Sequence, residues 1–316
     1  MTIIWVGWSG IGVLMVLLAA LKQTPPRRST PSGISRGAVA GTVLPGRMGE
    51  KISVFIIACN EAARIGRTLE TLAWADQVVV VDSGSTDDTV AIAKAAGAEV
   101  HHRDWDGYGP QKVFAEGLCA HDWVLNVDAD EVVTETLAEE IRDAAQKDPA
   151  AYRIRILNVY PGEDRPRPLA NDYNVVRFYH RSLAGYRDHP LFDRVEVRGD
   201  ERQLQAPIHH HPLLSLAHFV DKENRYSSYA ATTAKPRGRA GLLLRLPFEM
   251  PFAFVKFYLA RGHVLGGWKG FMFALTAAFA RVLRIAKMLE RQDGGRGSEK
   301  NDSAVNLTVD DPGANP

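Results

Sequence analysis

The chain has 316 residues, 46% hydrophobic and 24% charged, which is enough apolar material for a sizeable core and too much for a disordered or collagen-like chain. Its 38 Lys and Arg balance 37 Asp and Glu to a net charge of +1, so no overall basic field exists to hold nucleic acid by counterion release. Two cysteines, Cys59 and Cys119, are too few for a secreted disulfide framework and suit a reducing compartment.

Residues 3–21 (IIWVGWSGIGVLMVLLAAL) carry no charge and approach the roughly 20 apolar residues that a helix needs to cross a bilayer. Lys22, Arg27 and Arg28 follow this run instead of preceding it, which favours an anchor over a cleavable signal peptide and keeps the remainder cytoplasmic. Residues 1–22 are therefore expected to form a transmembrane helix. The stretch 23–50 is rich in Pro, Gly, Ser and Arg without period and reads as a linker, so the main folded domain is expected over 51–240.

From Ser53 onward, short aliphatic runs alternate with helical stretches. SVFIIAC (53–59) and QVVVVD (77–82) are near-continuous runs of strand length, the kind buried on both faces of a parallel sheet. Between them Ile65, Leu69, Leu72 and Trp74 recur at roughly helical spacing. Ser85-Thr86-Asp87-Asp88 has the pattern of a capping box before a helix over 89–96, which Gly97 stops ahead of a strand at 98–101. Pro110 opens a further helix to Cys119, and WVLNV (123–127) is the next strand. Repeated βαβ units predict a doubly wound, Rossmann-like and mostly parallel α/β sheet with its ligand crevice at the carboxyl ends of the strands.

Between Gly241 and Glu290 lies a second apolar region, broken too often by charge and proline to span a bilayer. Arg281, Arg284, Lys287 and Arg291 recur there at three- and four-residue steps opposite Val282, Ile285 and Leu289, the pattern of a helix lying in the headgroup layer. Residues 241–290 are thus expected as membrane-associated helices; the alternative is a helical cap packed on the main domain. Residues 291–316 are polar and poor in aliphatics and read as a disordered tail.

Polar residues collect where the strands end. Asn60 and Glu61 follow the first, Asp82 ends the second, and Asp128-Ala129-Asp130-Glu131 ends the fourth. Carboxylates at neighbouring strand ends repel one another unless donors or a cation lie between them. Asp128 and Asp130, two apart at a strand terminus, suit a hard divalent cation such as Mg²⁺ or Mn²⁺ that bridges a diphosphate.

The runs SVFIIACNEAARIGRTLETLAWADQVVVVDSGSTDDTVAIAKAAGAEV, WDGYGPQK and DWVLNVDADE together resemble an inverting family 2 glycosyltransferase of the GT-A fold. Within it they look most like the lipopolysaccharide core β-1,4-glucosyltransferases, and the likeness continues more loosely through residues 207–231. The resemblance implies that Asn60, Glu61, Asp82, Lys112 and Asp128 bind a nucleotide-sugar donor, and that Asp130, Asp128 and His210 hold the metal. It also places Lys222 and Arg225 near a phosphate or lipid headgroup. His210 stands in the triple 209–211, for which a polar loop is the alternative. Relatives often carry a His-Glu pair where this chain has Asp188-His189-Pro190-Leu191-Phe192-Asp193, so Asp193, and then Asp188, is the expected general base. The implied activity is transfer of glucose from UDP-glucose to an inner-core heptose of lipopolysaccharide, at the cytoplasmic face of a bacterial inner membrane. A polyprenyl-phosphate acceptor is an alternative, as is a non-catalytic nucleotide-sugar binding protein on the membrane.

Overall fold

The computed structural model describes residues 49–170, 172–188, 194–235 and 237–294. The expected anchor, nearly all of the linker and the residues beyond 294 lie outside this set, as does Asp193. No helix among the described residues is long and apolar enough to cross a membrane.

The aliphatic runs become strands shielded on both faces. β1 (Ile52–Ala58) is buried along its whole length and lies parallel to and between β2 (Gln77–Asp82) and β4 (Trp123–Asn126), with β3 (Glu99–His102) beyond β2. Side chains of β1 divide by parity between two cores, as a period of two requires. Val54, Ile56 and Ala58 pack with Ile65 and Leu69 of α1 (Ile65–Glu70), Ala93 of α2 (Thr89–Ala95) and Ile141 of α4 (Glu135–Ala145). Phe55 and Ile57 face the other way, toward Ala115 of α3 (Tyr108–Gly117) and Cys119.

Helices therefore cover both faces, and the expected doubly wound, mostly parallel sheet is present. Its order is β3-β2-β1-β4-β7-β6-β11-β5. The second half is mixed: β7 (Asp172–His180) runs antiparallel to β4 and β6 (Ala151–Asn158), and β5 (Glu131–Val133) antiparallel to β11 (Ile208–His210). β10 (Glu201–Gln203) adds to β6, while β8 (Ala184–Tyr186) and β9 (Val195–Val197) form a separate two-stranded ribbon. The β5–β11 and β6–β11 pairings set His210 beside Glu131 and Asn158.

Two local expectations are corrected. No capping box forms at α2: the Ser85 hydroxyl donates to the Asp82 carboxylate, the N-cap Asp88 makes no side-chain cap bond, and Asp87 Oδ1 accepts from Thr89 N at 3.0 Å. The helix expected from Pro110 begins at Tyr108, so Pro110 sits within the first turn, where its missing N–H removes no helical bond.

The C-terminal third is three helices, α5 (Leu216–Thr233), α6 (Arg239–Val255) and α7 (Gly267–Gly294). They share a small core of Ala231, Leu242, Ile285, Met288 and Leu289. Helix α7 continues to Gly294, into the segment expected to be a tail. Two members of its basic stripe bond neighbouring helices, while Arg291 is exposed. Arg281 Nε is 2.6 Å from Glu249 Oε1 on α6, and Lys287 Nζ donates to Asn224 O and Ser227 Oγ on α5, each at 2.8 Å. Flanking helices supply acceptors that water would otherwise supply, so these cations turn inward. An exposed apolar face lies on α6 and the start of α7, with Leu244 73%, Phe252 70% and Trp268 70% exposed.

Candidate active site

At the carboxyl edge of the sheet, the loops after β1 and β2 are sewn together. Asn60 adopts a left-handed φ of 55°, and its Oδ1 accepts from Thr86 N at 2.9 Å while its own N–H donates to Ser85 Oγ at 2.8 Å. Asp82, almost fully buried, accepts from Gly84 N at 2.9 Å and Ser85 N at 3.0 Å through Oδ2. Gly84 holds a φ of 97°, a conformation only glycine adopts cheaply. Asn60 and Asp82 thus shape the crevice through these turns. Glu61 is committed to Arg64, with Nε to Oε2 at 2.7 Å and a terminal nitrogen to Oε1 at 2.6 Å, and so acts on the crevice through that guanidinium. Arg64 in turn reaches Asp130 Oδ2 at 3.3 Å.

The two acids expected to share a metal have different ion-pair partners. Asp128 faces Arg177, a lone cation inside β7, at 2.6 Å and Lys112 of α3 at 3.3 Å. Burial alone raises the Asp128 carboxyl, but the Arg177 guanidinium and then the Lys112 ammonium outweigh it and hold the group ionised. Arg177 also pairs with Glu131 at 3.1 Å and bonds the Asn126 side-chain oxygen. Glu131 is fully enclosed, and burial raises its carboxyl despite Arg177. The Tyr186 hydroxyl completes this side by donating to Asn126 Oδ1 at 2.8 Å, its ring 5.5 Å from Lys112 Nζ. Two neighbouring cations, Arg177 and Lys112, therefore balance the charge of Asp128. Among the described residues, no group of three or more His, Cys, Asp and Glu side chains is arranged to hold a metal ion.

Asp130 and His210 do meet, with Oδ2 and Nε2 3.2 Å apart and both groups buried. His210 Nδ1 lies 2.8 Å from Asn158 Oδ1 and 3.0 Å from the Tyr173 hydroxyl. Asn158 Oδ1 only accepts, so Nδ1 carries a proton and Nε2 is the nitrogen that faces Asp130. Burial pushes the imidazole down, but the Asp130 carboxylate more than reverses this and raises it. Asp130 Oδ1 is buried with no hydrogen-bond partner among the described residues. An orphaned carboxylate oxygen beside an oriented imidazole nitrogen fits a divalent cation that takes its other ligands from diphosphate and water.

Asp130 opens on a cavity of about 260 Å³ shared with Arg64 and Arg67. His210 and Arg177 line one end of a larger cavity of about 980 Å³, enclosed by β6, β7 and the C-terminal helices. Basic residues outnumber carboxylates seven to two among the described residues of that lining. Lys222 lies in its wall, buried, whereas Arg225, one turn further along α5, is exposed and outside it. Asp188 is exposed and lines neither cavity. Glu223, whose carboxyl burial raises against the opposing pull of Lys222, lines the larger one.

Arg64, Asn158, Tyr173, Arg177 and Tyr186 were not legible as site residues. Arg177 left one signal, a single cation in the otherwise apolar run VVRFY (175–179).

A family described as Glycosyl transferase family 2 matches residues 53–198. An uncharacterized glycosyltransferase of Rickettsia prowazekii (strain Madrid E) is 36% identical over 275 residues, covering 83% of this chain and 94% of the other. The lipopolysaccharide core biosynthesis glycosyltransferase LpsC of Rhizobium meliloti (strain 1021) is 29% identical over 250 residues, covering 76% and 92%. The glucosyl-3-phosphoglycerate synthase of Mycobacterium tuberculosis, solved in complex with Mn²⁺, UDP and glucosyl-3-phosphoglycerate, aligns over 36% of this chain and 45% of its own. That alignment has 26% identity and a TM-score of 0.29.

Proposed function

The chain belongs to glycosyl transferase family 2, a family of sugar-transferring enzymes, and from that premise we propose that it moves glucose from UDP-glucose to an inner-core heptose of lipopolysaccharide. The observation that carries the chemistry is the buried pair Asp130 and His210, with one orphaned carboxylate oxygen, at the boundary of two cavities. Likeness to LpsC along most of both chains supports the acceptor class. The uncharged run at 3–21 and the exposed apolar face of α6 support a location at the cytoplasmic side of an inner membrane, where an acceptor fixed in lipid is reached without leaving it.

In this reading Asp130 and His210 hold a Mg²⁺ or Mn²⁺ ion, which when bound offsets charge growing on the departing diphosphate. Arg64 also holds Asp130, through the same Oδ2 that faces His210, and Tyr173 and Asn158 fix the imidazole so that Nε2 stays directed at the carboxylate. Arg177 and Lys112 keep Asp128 ionised, and its side chain, still 21% exposed, offers the donor ribose an acceptor oxygen. The turns held by Asn60 and Asp82 bound the nucleobase. The acceptor hydroxyl enters from the larger cavity and gives its proton to a carboxylate, Asp193 from the sequence order or Glu223 from the cavity wall. A single displacement inverts the anomeric carbon and needs no covalent nucleophile.

The test is incubation of the full chain with radiolabelled UDP-glucose, Mg²⁺ and core-truncated lipopolysaccharide. Label in the lipid is expected with wild type, and a loss of roughly 10²–10⁴-fold with Asp130→Ala. No label with wild type refutes the acceptor and donor assignment. Label in a charged, acid-labile lipid instead selects a polyprenyl phosphate.

A further inference from the structure

Two arginines in the large cavity carry charge that no carboxylate balances. Arg167 donates to four backbone carbonyls, Pro168 O at 3.1 Å, Leu169 O at 2.5 Å, Gly262 O at 3.1 Å and Arg261 O at 2.9 Å. These bonds tie the segment after β6 to the turn after α6 but leave the positive charge uncompensated. Arg261, exposed, lays its guanidinium 5.4 Å from the Phe257 ring centroid. Neither arginine has an acidic partner within ion-pair distance among the described residues, although both line the cavity.

The groups around them are arranged for an anion. His263, between them, is buried and accepts or shares a hydrogen bond with the Tyr160 hydroxyl at 2.5 Å. Burial and then the fields of Arg167 and Arg261 depress its imidazole to about 4, so at neutral pH it adds no further cation beside the two arginines. Glu201, one of the two lining carboxylates, is already paired with Arg153 at 2.7 Å. Arg261 also directly follows the exposed apolar stretch that contains Leu259, 58% exposed, and precedes Val264 and Leu265. The cations therefore sit where the cavity lining borders exposed apolar residues.

We infer that Arg167 and Arg261 form an anion subsite, at the border of the cavity and the apolar face, for a phosphate group carried by the acceptor. This rests on the transferase reading and adds to it the chemistry of the acceptor: a phosphorylated molecule that enters the cavity lined by His210 and is held there through its anion. The planar forks suit paired phosphate oxygens, and charge-assisted bonds from a guanidinium are stronger than neutral ones.

The probe is inorganic phosphate, titrated calorimetrically into the full chain at fixed ionic strength with chloride as reference. Wild type is expected to bind saturably, Arg261→Gln roughly tenfold more weakly, and Arg165→Gln, an exposed charge of the same segment outside the cavity, as wild type. Absence of saturable binding in wild type, wild-type affinity in Arg261→Gln, or equal loss in Arg165→Gln overturns the subsite. Should Arg261→Gln fail to fold, Arg261→Lys replaces it: a threefold or greater loss supports the subsite and wild-type affinity overturns it. Displacement of bound phosphate by phosphatidylglycerol vesicles, but not by phosphatidylcholine, assigns the anion to a lipid headgroup. Displacement by glycerol 3-phosphate alone assigns it to a soluble phosphorylated acceptor, and displacement by neither overturns the proposal. Donor turnover is scored separately: phosphate binding without UDP-glucose turnover sinks the transferase reading alone, and turnover without phosphate binding sinks the subsite alone.

Discussion

Replacing Arg177 by methionine tests the charge balance at the centre of the site. Arg177 is 4% exposed and meets Asp128 at 2.6 Å, Glu131 at 3.1 Å and the Asn126 side chain. Without it Asp128 keeps Lys112 at 3.3 Å, but Glu131 keeps only the Asp128 N–H at 2.9 Å and becomes a buried carboxylate with no counter-ion. Removing one partner of a buried pair costs about 3–5 kcal/mol, because the survivor stays desolvated. For a domain of this size each kcal/mol moves the melting point by about 2–4 °C, so a fall of roughly 6–20 °C is expected. Differential scanning calorimetry at pH 7.5 gives the number. In a Glu131→Gln background the same substitution should cost at least about 1.5 kcal/mol less, since no charge is then stranded. A melting point within 2 °C of wild type, or strictly additive losses, refutes the account of Arg177 as the counter-ion.

Two further outcomes follow from the C-terminal helices. His263 is held near 4 in the fold against about 6.5 in an unfolded chain, so between those values the unfolded state binds the extra proton and stability falls as pH falls. The interval corresponds to up to about 3 kcal/mol, nearer 2 with solvent at the cavity mouth screening the two arginines; urea unfolding of wild type should show this loss between pH 7 and pH 4, and His263→Gln should lack it. A Cβ on Gly270 would lie 1.9 Å from the carbonyl oxygen of His263, a backbone atom that cannot swing aside. Gly270→Ala is therefore expected to cost roughly 3 kcal/mol, at the upper end for overpacking, and an unchanged thermal midpoint contradicts the close approach of α7 to the turn at His263–Gly266.

The first half of the sheet was legible in sequence because its physics is local. A run such as VFIIA can bury both faces only inside a parallel sheet, and period and capping residues fix where the flanking helices lie. The acids at the strand ends could be located for the same reason, since chain order places them at the carboxyl edge. Their partners could not. Asp130 meets His210 across 80 positions, through pairing of β5 with β11, and nothing in the residues between them encodes that register.

A charge in sequence shows its sign but not its neighbours. Folding brought Arg177 and Lys112 to Asp128, and Glu249 and Asn224 to the basic row, satisfying those charges within the protein. Residue type and period thus determined the strands, the helices and the set of ionisable groups. Which charges are neutralised and which stay open to a ligand was decided by tertiary packing, since electrostatic energy depends on distances of a few ångströms that only the assembled chain defines.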